Sequence, residues 1–227
     1  MGKYKLRQFA ELATFSNSLE HLQHGKEVAD FALKGKWNSD FFRNPNPMIL
    51  ELGCGKGEYT LALAQQNSHF NYLGIDIKGN RIWRGAKTAL EEKINHVGFL
   101  RTRVENIATA FAPAEIQQIW ITFPDPQPGI KREKRRLTAP RQLAVYRKIL
   151  APNGILHLKT DSRMLYDYSV EVMQQEGEIL FQTSDLYKKT NDLPEKERLV
   201  LTQVQTYYEK KFLAQGIPIC YLQFKLK

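Results

Sequence analysis

The chain has 227 residues, 42% of them hydrophobic and 25% charged, and a formal net charge of +9. That length suits one α/β domain with a short extension and is short for two. No apolar run approaches the ~20 residues that span a bilayer, residues 1–5 lack the apolar core of a signal peptide, Leu6 stands where a myristoylation motif requires Ser or Thr, and Cys54 and Cys220 lie too far apart for a metal motif and read as reduced thiols of a cytoplasmic protein.

Residues 1–46 form a polar and aromatic lead-in. The pattern predicts extended pieces and turns around Phe15-Ser16-Asn17 and Leu33-Lys34-Gly35-Lys36-Trp37, a short helix over 18–25, and core contacts for Phe41 and Phe42. His21 and His24 would share a face of that helix with no third ligand near, which suits packing or the surface rather than a metal. Asn44-Pro45-Asn46-Pro47 is turn chemistry and marks entry to a main domain, 47–227.

From there apolar runs alternate with helical periods. Strands are expected at 48–52, 71–77, 97–103, 118–123, 155–160, 178–183 and 219–224. Helices are expected at 58–66, 80–93, 140–150, 162–175 and 202–213, with a polar loop over 184–198. The alternation predicts an open α/β sheet of seven strands, six parallel and the terminal one antiparallel, with helices on both faces.

The run Leu50-Glu51-Leu52-Gly53-Cys54-Gly55-Lys56-Gly57-Glu58 joins the first of these strands to its helix. Glycines allow a tight turn and close approach of backbone to a ligand. The dinucleotide fingerprint is G-x-G-x-x-G, with a diphosphate on the helix N-terminus. Here Glu58 holds the place of the third glycine, and Glu51 precedes the turn. Two carboxylates oppose a diphosphate and suit S-adenosylmethionine, which carries an ammonium, a sulfonium and no phosphate. Asp76, about 20 residues on, is placed to accept hydrogen bonds from ribose hydroxyls, and Glu105 and Asn106 follow the next strand, where adenine often lies.

Phe123-Pro124-Asp125-Pro126-Gln127-Pro128-Gly129 ends the 118–123 strand in a stiff loop. Ligands bind at the carboxyl ends of such strands, where strand order reverses, so Asp125 is predicted to face the reactive end of the cofactor. Just beyond it, residues 131–148 hold Lys131, Arg132, Lys134, Arg135, Arg136, Arg141, Arg147 and Lys148 against Glu133 alone, a local excess of +7. A cationic stripe beside a reactive edge points to a polyanion as substrate. Asp161 lies at the same edge, after the 155–160 strand.

Taken together, Phe9-Ala10-Glu11, Lys34-Gly35-Lys36-Trp37, Glu51 through Gly57, Phe123-Pro124-Asp125-Pro126, Thr160-Asp161 and Thr206-Tyr207-Tyr208-Glu209 resemble the bacterial tRNA (guanine-N7)-methyltransferases over nearly the whole chain. The resemblance implies a class I methyltransferase Rossmann-like fold, S-adenosylmethionine as methyl donor, no metal, and methylation of the variable-loop guanine, position 46 in tRNA numbering. It implies cofactor contacts at Glu51, Gly53, Gly55, Gly57, Asp76, Glu105, Asn106 and Asp125, and substrate contacts at Asp161, Thr206 and Glu209. Lys131, Arg132, Lys134, Arg135 and Arg136 would grip tRNA phosphates. Two departures stand out: Gln127 replaces a family Trp, and Gly129 replaces a family Lys whose role falls to Lys131 or Arg132.

Guanine N7 carries an in-plane lone pair and no proton, so it needs no general base. The product ring is cationic, and a carboxylate beside it stabilises the developing charge. Asp125 is the first candidate for that role. Three alternatives stay open: methylation of an exocyclic amine, although Pro124-Asp125-Pro126-Gln127 lacks the aromatic of that motif; an RNA-binding protein on a decayed methyltransferase fold; and an NAD oxidoreductase, which Glu58 disfavours. The expected assembly is a monomer or a homodimer.

Overall fold

The computed structural model describes residues 3–22, 28–193 and 195–227. In chain order its elements are α1 (Lys3–Leu12), β1 (Ser18–His21), β2 (Met48–Leu52), α2 (Glu58–Gln66), β3 (Asn71–Asp76), α3 (Gly79–Glu91), β4 (Val97–Thr102), α4 (Ile107–Ala110), β5 (Ile116–Thr122), α5 (Pro140–Tyr146), β6 (Leu150–Thr160), α6 (Arg163–Glu176), β7 (Gly177–Thr183), α7 (Glu195–Gln203), α8 (Tyr207–Ala214) and β8 (Cys220–Leu226). The strands form one sheet in the order β1-β4-β3-β2-β5-β6-β8-β7. Only β8 runs against the rest, pairing antiparallel with both β6 and β7.

Every residue of β2 and β3 is buried, as expected of central parallel strands covered on both faces. The strand period of two then sorts side chains between two cores. Leu50 and Leu52 of β2 join Leu73, Ile75, Ile119 and Tyr146 on one face. Ile49 joins Tyr59, Leu63, Phe99 and Trp120 on the other. The order reverses at β2, which lies between β3 and β5, so their carboxyl ends open a crevice above it.

The lead-in departs from its expected form. Residues 18–21 are not helical but form β1, paired in parallel with β4 from Ser18 opposite Phe99 to His21 opposite Thr102. The unpaired edge of β4 decides the matter, because it offers hydrogen bonds that a short helix over the same residues does not need. Residues 23–25 of the expected helix lie outside the described residues. His21 is buried and its Nε2 pairs with Thr109 Oγ1 at 2.9 Å. Trp37 is fully buried, donating from Nε1 to Ala110 O at 2.9 Å and stacking on Phe111.

Among the described residues the sheet therefore has eight strands rather than seven. Residues 3–12, to which the sequence assigns no element, form α1, which packs on α3: Glu11 accepts from Trp83 Nε1 at 2.9 Å and from Lys87 Nζ at 2.8 Å. The helix expected over 202–213 is two helices, α7 and α8, separated by residues 204–206. The helix expected over 140–150 stops at Tyr146, and β6 starts at Leu150.

Candidate active site

The site is built on the end of β2. Glu51 is 3% exposed, in an otherwise apolar run. One of its carboxylate oxygens accepts from the Thr60 N–H at 2.8 Å and from the Thr60 hydroxyl, and the other accepts from the Thr122 hydroxyl at 2.6 Å. Burial pushes the Glu51 carboxyl up to about 7, against the pull of these three hydrogen bonds, and nearby Asp76 pushes the same way. A buried carboxylate balanced near neutrality is poised to ionise beside a cationic ligand.

The glycine turn follows. Gly53, Gly55 and Gly57 all have positive φ, of 74°, 57° and 72°. Their surroundings differ. Nothing lies within 4 Å of where a Cβ would stand on Gly53 or Gly55, whereas on Gly57 it would meet the Phe99 ring at 2.6 Å. Gly57 thus packs the turn onto the sheet, while Gly53 and Gly55 present bare backbone to open space. Asp76 braces the turn, accepting from the Gly55 N–H at 3.0 Å and the Lys78 N–H at 2.8 Å.

Above this turn lies a cleft of about 850 Å³, lined among others by Glu51, Gly53, Gly55, Tyr59, Thr122, Phe123 and Thr206. On the β5 side, the backbone leaves the strand with Phe123 at φ 47°, a conformation that costs a non-glycine residue about 1–2 kcal/mol and marks a constrained corner. The Phe123 N–H donates to Lys159 O at 2.8 Å. Asp125 is exposed, and its Oδ1 accepts from the Gln127 N–H at 3.1 Å, which fixes the loop in a local turn. Asp161 follows β6 on the same rim, half-buried, with its carboxyl raised by that burial.

The third wall is residues 206–208. It is anchored by a buried ion pair that the sequence reading did not single out. Lys159 Nζ on β6 lies 2.7 Å from Glu209 Oε1 on α8, with both side chains fully buried. The same ammonium donates to Leu201 O at 2.6 Å and Val204 O at 3.4 Å, and sits 5.4 Å from the centre of the Tyr59 ring. Tyr187 donates its hydroxyl to Glu209 Oε1 at 2.8 Å. Thr206 caps α8 by accepting the Glu209 N–H, and Glu58 accepts the Tyr207 N–H at 3.0 Å. Glu58 thus ties the first turn of α2 to the first turn of α8.

The basic run folds as a tight 3₁₀ turn over Ile130–Arg135. Lys131, Arg132, Lys134 and Arg135 are exposed. It follows β5 just as the glycine turn follows β2, so both stand on one rim of the sheet. Arg136 differs. It is 7% exposed, with its guanidinium 4.2 Å from the centre of the Tyr168 ring on α6. It braces the base of the turn, and the exposed charge rests with the other four.

The structure thus gathers Glu51, Gly53, Gly55 and Thr206 at the cleft, with Asp76 directly beneath the turn. Asp125 and Asp161 stand on the neighbouring strand ends, outside the cleft lining. Glu105 is exposed and Asn106 half-buried, in the short turn after β4. Glu209 lies fully buried with its Oε1 on Lys159, and its Oε2 has no hydrogen-bond partner among the described residues. The sequence reading also missed Tyr4, Lys5 and Gln8 of α1 and Lys56, Arg81 and Arg84, all of which line the cleft. Among the described residues no three His, Cys, Asp or Glu side chains gather as a metal requires.

Residues 45–222 match a family described as putative methyltransferases. The tRNA (guanine-N(7)-)-methyltransferase of Christiangramia forsetii is 49% identical over 100% of this chain and 99% of its own length. The Bacteroides fragilis and Bacillus subtilis proteins of the same name are 41% and 33% identical, over 100% and 85% of this chain and 87% and 89% of their own. In fold, the chain resembles the 16S rRNA methyltransferase KamB, with a TM-score of 0.61 and 13% identity over 89% of this chain and 97% of that one. A 30S ribosomal A1408 methyltransferase from an uncultured bacterium gives 0.59 and 17%, over 89% and 98%. With a buried, threonine-held carboxylate at the end of the central strand and full-length identity of this order, the chain belongs to the tRNA (guanine-N(7)-)-methyltransferase family.

Proposed function

We propose that the protein transfers a methyl group from S-adenosylmethionine to N7 of a guanine in tRNA, the variable-loop guanine at position 46. The observation that carries the reading is Glu51, a buried carboxylate beside an open glycine turn and one strand away from a cationic run. When bound, S-adenosylmethionine supplies a methyl group on a sulfonium sulfur, which guanine N7 accepts with its lone pair.

The residues fit that cofactor. Ionised Glu51 would hold its ammonium, with Thr60 and Thr122 orienting the carboxylate. Gly53 and Gly55 leave room for close approach, and Asp76, which braces the turn, would accept from the ribose hydroxyls. Asp125, on a proline-stiffened loop that loses little freedom on binding, offsets the positive charge that N7 acquires. Asp161 would accept from the donor edge of the base. No side chain has to remove a proton from N7, so the rate rests on alignment and charge. Lys131, Arg132, Lys134 and Arg135 hold the RNA by its phosphates.

Residues 1–46 act as an extension on the catalytic domain 47–227. The protein works on tRNA in the cytoplasm, and no described helix is long and apolar enough to cross a membrane. The test is labelled S-adenosylmethionine with bulk unmodified tRNA, followed by chemical cleavage at 7-methylguanosine. Label on an exocyclic amine, or no label, would refute the reading.

A further inference from the structure

The cleft has a second cationic bank. Lys5 stands on α1, Lys56 in the glycine turn, and Arg81 and Arg84 on α3. All four are exposed and all four line the cleft. None of the four pairs with a carboxylate among the described residues. The two acids that line the same cleft are committed elsewhere: Glu51 is buried under Thr60 and Thr122, and Glu58 holds the Tyr207 N–H.

Converging unpaired cations repel one another and attract a polyanion. The cofactor does not answer that need. S-adenosylmethionine carries an ammonium, a sulfonium and one carboxylate, a net charge of +1, so a ring of cations at the mouth disfavours its approach. Its ammonium is met below, by Glu51. A phosphodiester chain answers the charge directly.

Position supports the same occupant. α3 follows β3, the 131–136 turn follows β5, and β2 with the glycine turn lies between them. The two cationic groups therefore flank the cleft. α1 is held in place on this side by Glu11, which takes hydrogen bonds from Trp83 and Lys87 of α3, and by the Arg101 guanidinium 4.7 Å above the Phe9 ring. Tyr4, 68% exposed at the cleft edge, offers a ring for an unstacked base.

We infer that α1, the glycine turn and α3 form a second RNA-phosphate surface, across the cleft from the 131–136 turn, so that the RNA straddles the cofactor site. The inference rests on the tRNA reading above and deepens it.

The test uses the full chain and unmodified tRNA. Binding is measured from about 50 to 300 mM salt for the wild type, for the triple variant Lys5→Ala/Arg81→Ala/Arg84→Ala and for Arg81→Lys/Arg84→Lys. S-adenosylmethionine binding is titrated in parallel. Each lost phosphate contact lowers the slope of log K against log salt by about 0.7–0.9. The triple variant is expected to lose about two units of slope and to bind tRNA at least ~10-fold more weakly at low salt, whereas the lysine variant keeps its slope. An unchanged slope in the triple variant overturns the inference, as does a loss confined to cofactor affinity. If the triple variant fails to fold, Arg81→Glu alone is scored on the same slope, with no change again overturning it. Wild-type protein that binds tRNA with the expected slope but methylates another atom leaves this surface standing and removes the N7 reading. Wild-type methylation at N7 with no change of slope in the variants does the reverse.

Discussion

Replacing Lys159 with Met should cost the protein roughly 3–5 kcal/mol, about what is lost when one partner of a buried pair is removed. Over the 2.7 Å between Lys159 Nζ and Glu209 Oε1, the attraction is about 6 kcal/mol at an effective dielectric near 20. Burial of both ions offsets most of it: desolvation lowers the pKa of Lys159 even though Glu209 pulls it up. The variant keeps the buried Glu209 without its cation and loses the bonds to Leu201 O and Val204 O. For a chain of this length the melting temperature should fall by about 10 °C, with residues 204–212 loosening first.

The double variant Lys159→Met/Glu209→Leu removes both charges and should recover most of that loss. The assay is urea unfolding with linear extrapolation, run with tRNA methylation kinetics. A single-variant loss below about 1 kcal/mol, or a double variant no better than the worse single, would refute the account of the pair as a strut. Kinetics separate a strut from a substrate contact. A strut predicts that activity returns with stability in the double variant, whereas a Glu209 that touches the guanine predicts a stable, inactive protein.

Four further outcomes are expected. With Glu51 titrating at about 7 when folded and near 4.5 when unfolded, the folded state binds the extra proton between those values. Stability should therefore fall by roughly 3 kcal/mol as pH rises from 4.5 to 7 and then level off, while cofactor affinity rises over the upper part of that window. Glu51→Gln should flatten both trends in melting and binding series from pH 5 to 8. Asp125→Ala should lower turnover on the order of 10²-fold with S-adenosylmethionine still bound in titration, and near-normal turnover would remove Asp125 from the mechanism. Gly57→Ala should cost about 2–3 kcal/mol, from its positive φ and the Phe99 ring, whereas Gly53→Ala should cost about 1 kcal/mol and show itself chiefly as lost cofactor binding. Arg132→Ala/Arg135→Ala should lower the salt slope of tRNA binding by somewhat under two units with melting unchanged. Arg136→Ala should instead lower the melting temperature, because its guanidinium packs on Tyr168.

The centre of the fold is legible because its strands are buried on both faces, so 48–52 reads as an apolar run broken only by Glu51, and 72–75 as a continuous one. Glu51 stands out within such a run, and so does Lys159 in 155–160, whose partner fifty residues later no local window contains. β1 escapes because Ser18-Leu19-Glu20-His21 carries no strand pattern of its own and extends only against the edge of β4. The break between α7 and α8 has no glycine or proline at 204–206. It comes from tertiary contacts, as Lys159 draws in the carbonyls of Leu201 and Val204. The glycine turn and the 131–136 run are contiguous in sequence and so could be read. Lys5, Lys56, Arg81 and Arg84 are scattered along the chain, and only folding makes them a group.

The place of β8 has a consequence for how the molecule is made. β7 leaves the ribosome before β8 but is bonded in the sheet to β8 alone, and β6 likewise waits for β8 on its outer side. Until residue 226 emerges, two strands hold bare edges, the form in which nascent chains are most apt to associate wrongly. Synthesis from the N-terminus can lay down the cofactor turn early, yet the catalytic rim closes only when this strand slides in between its older neighbours.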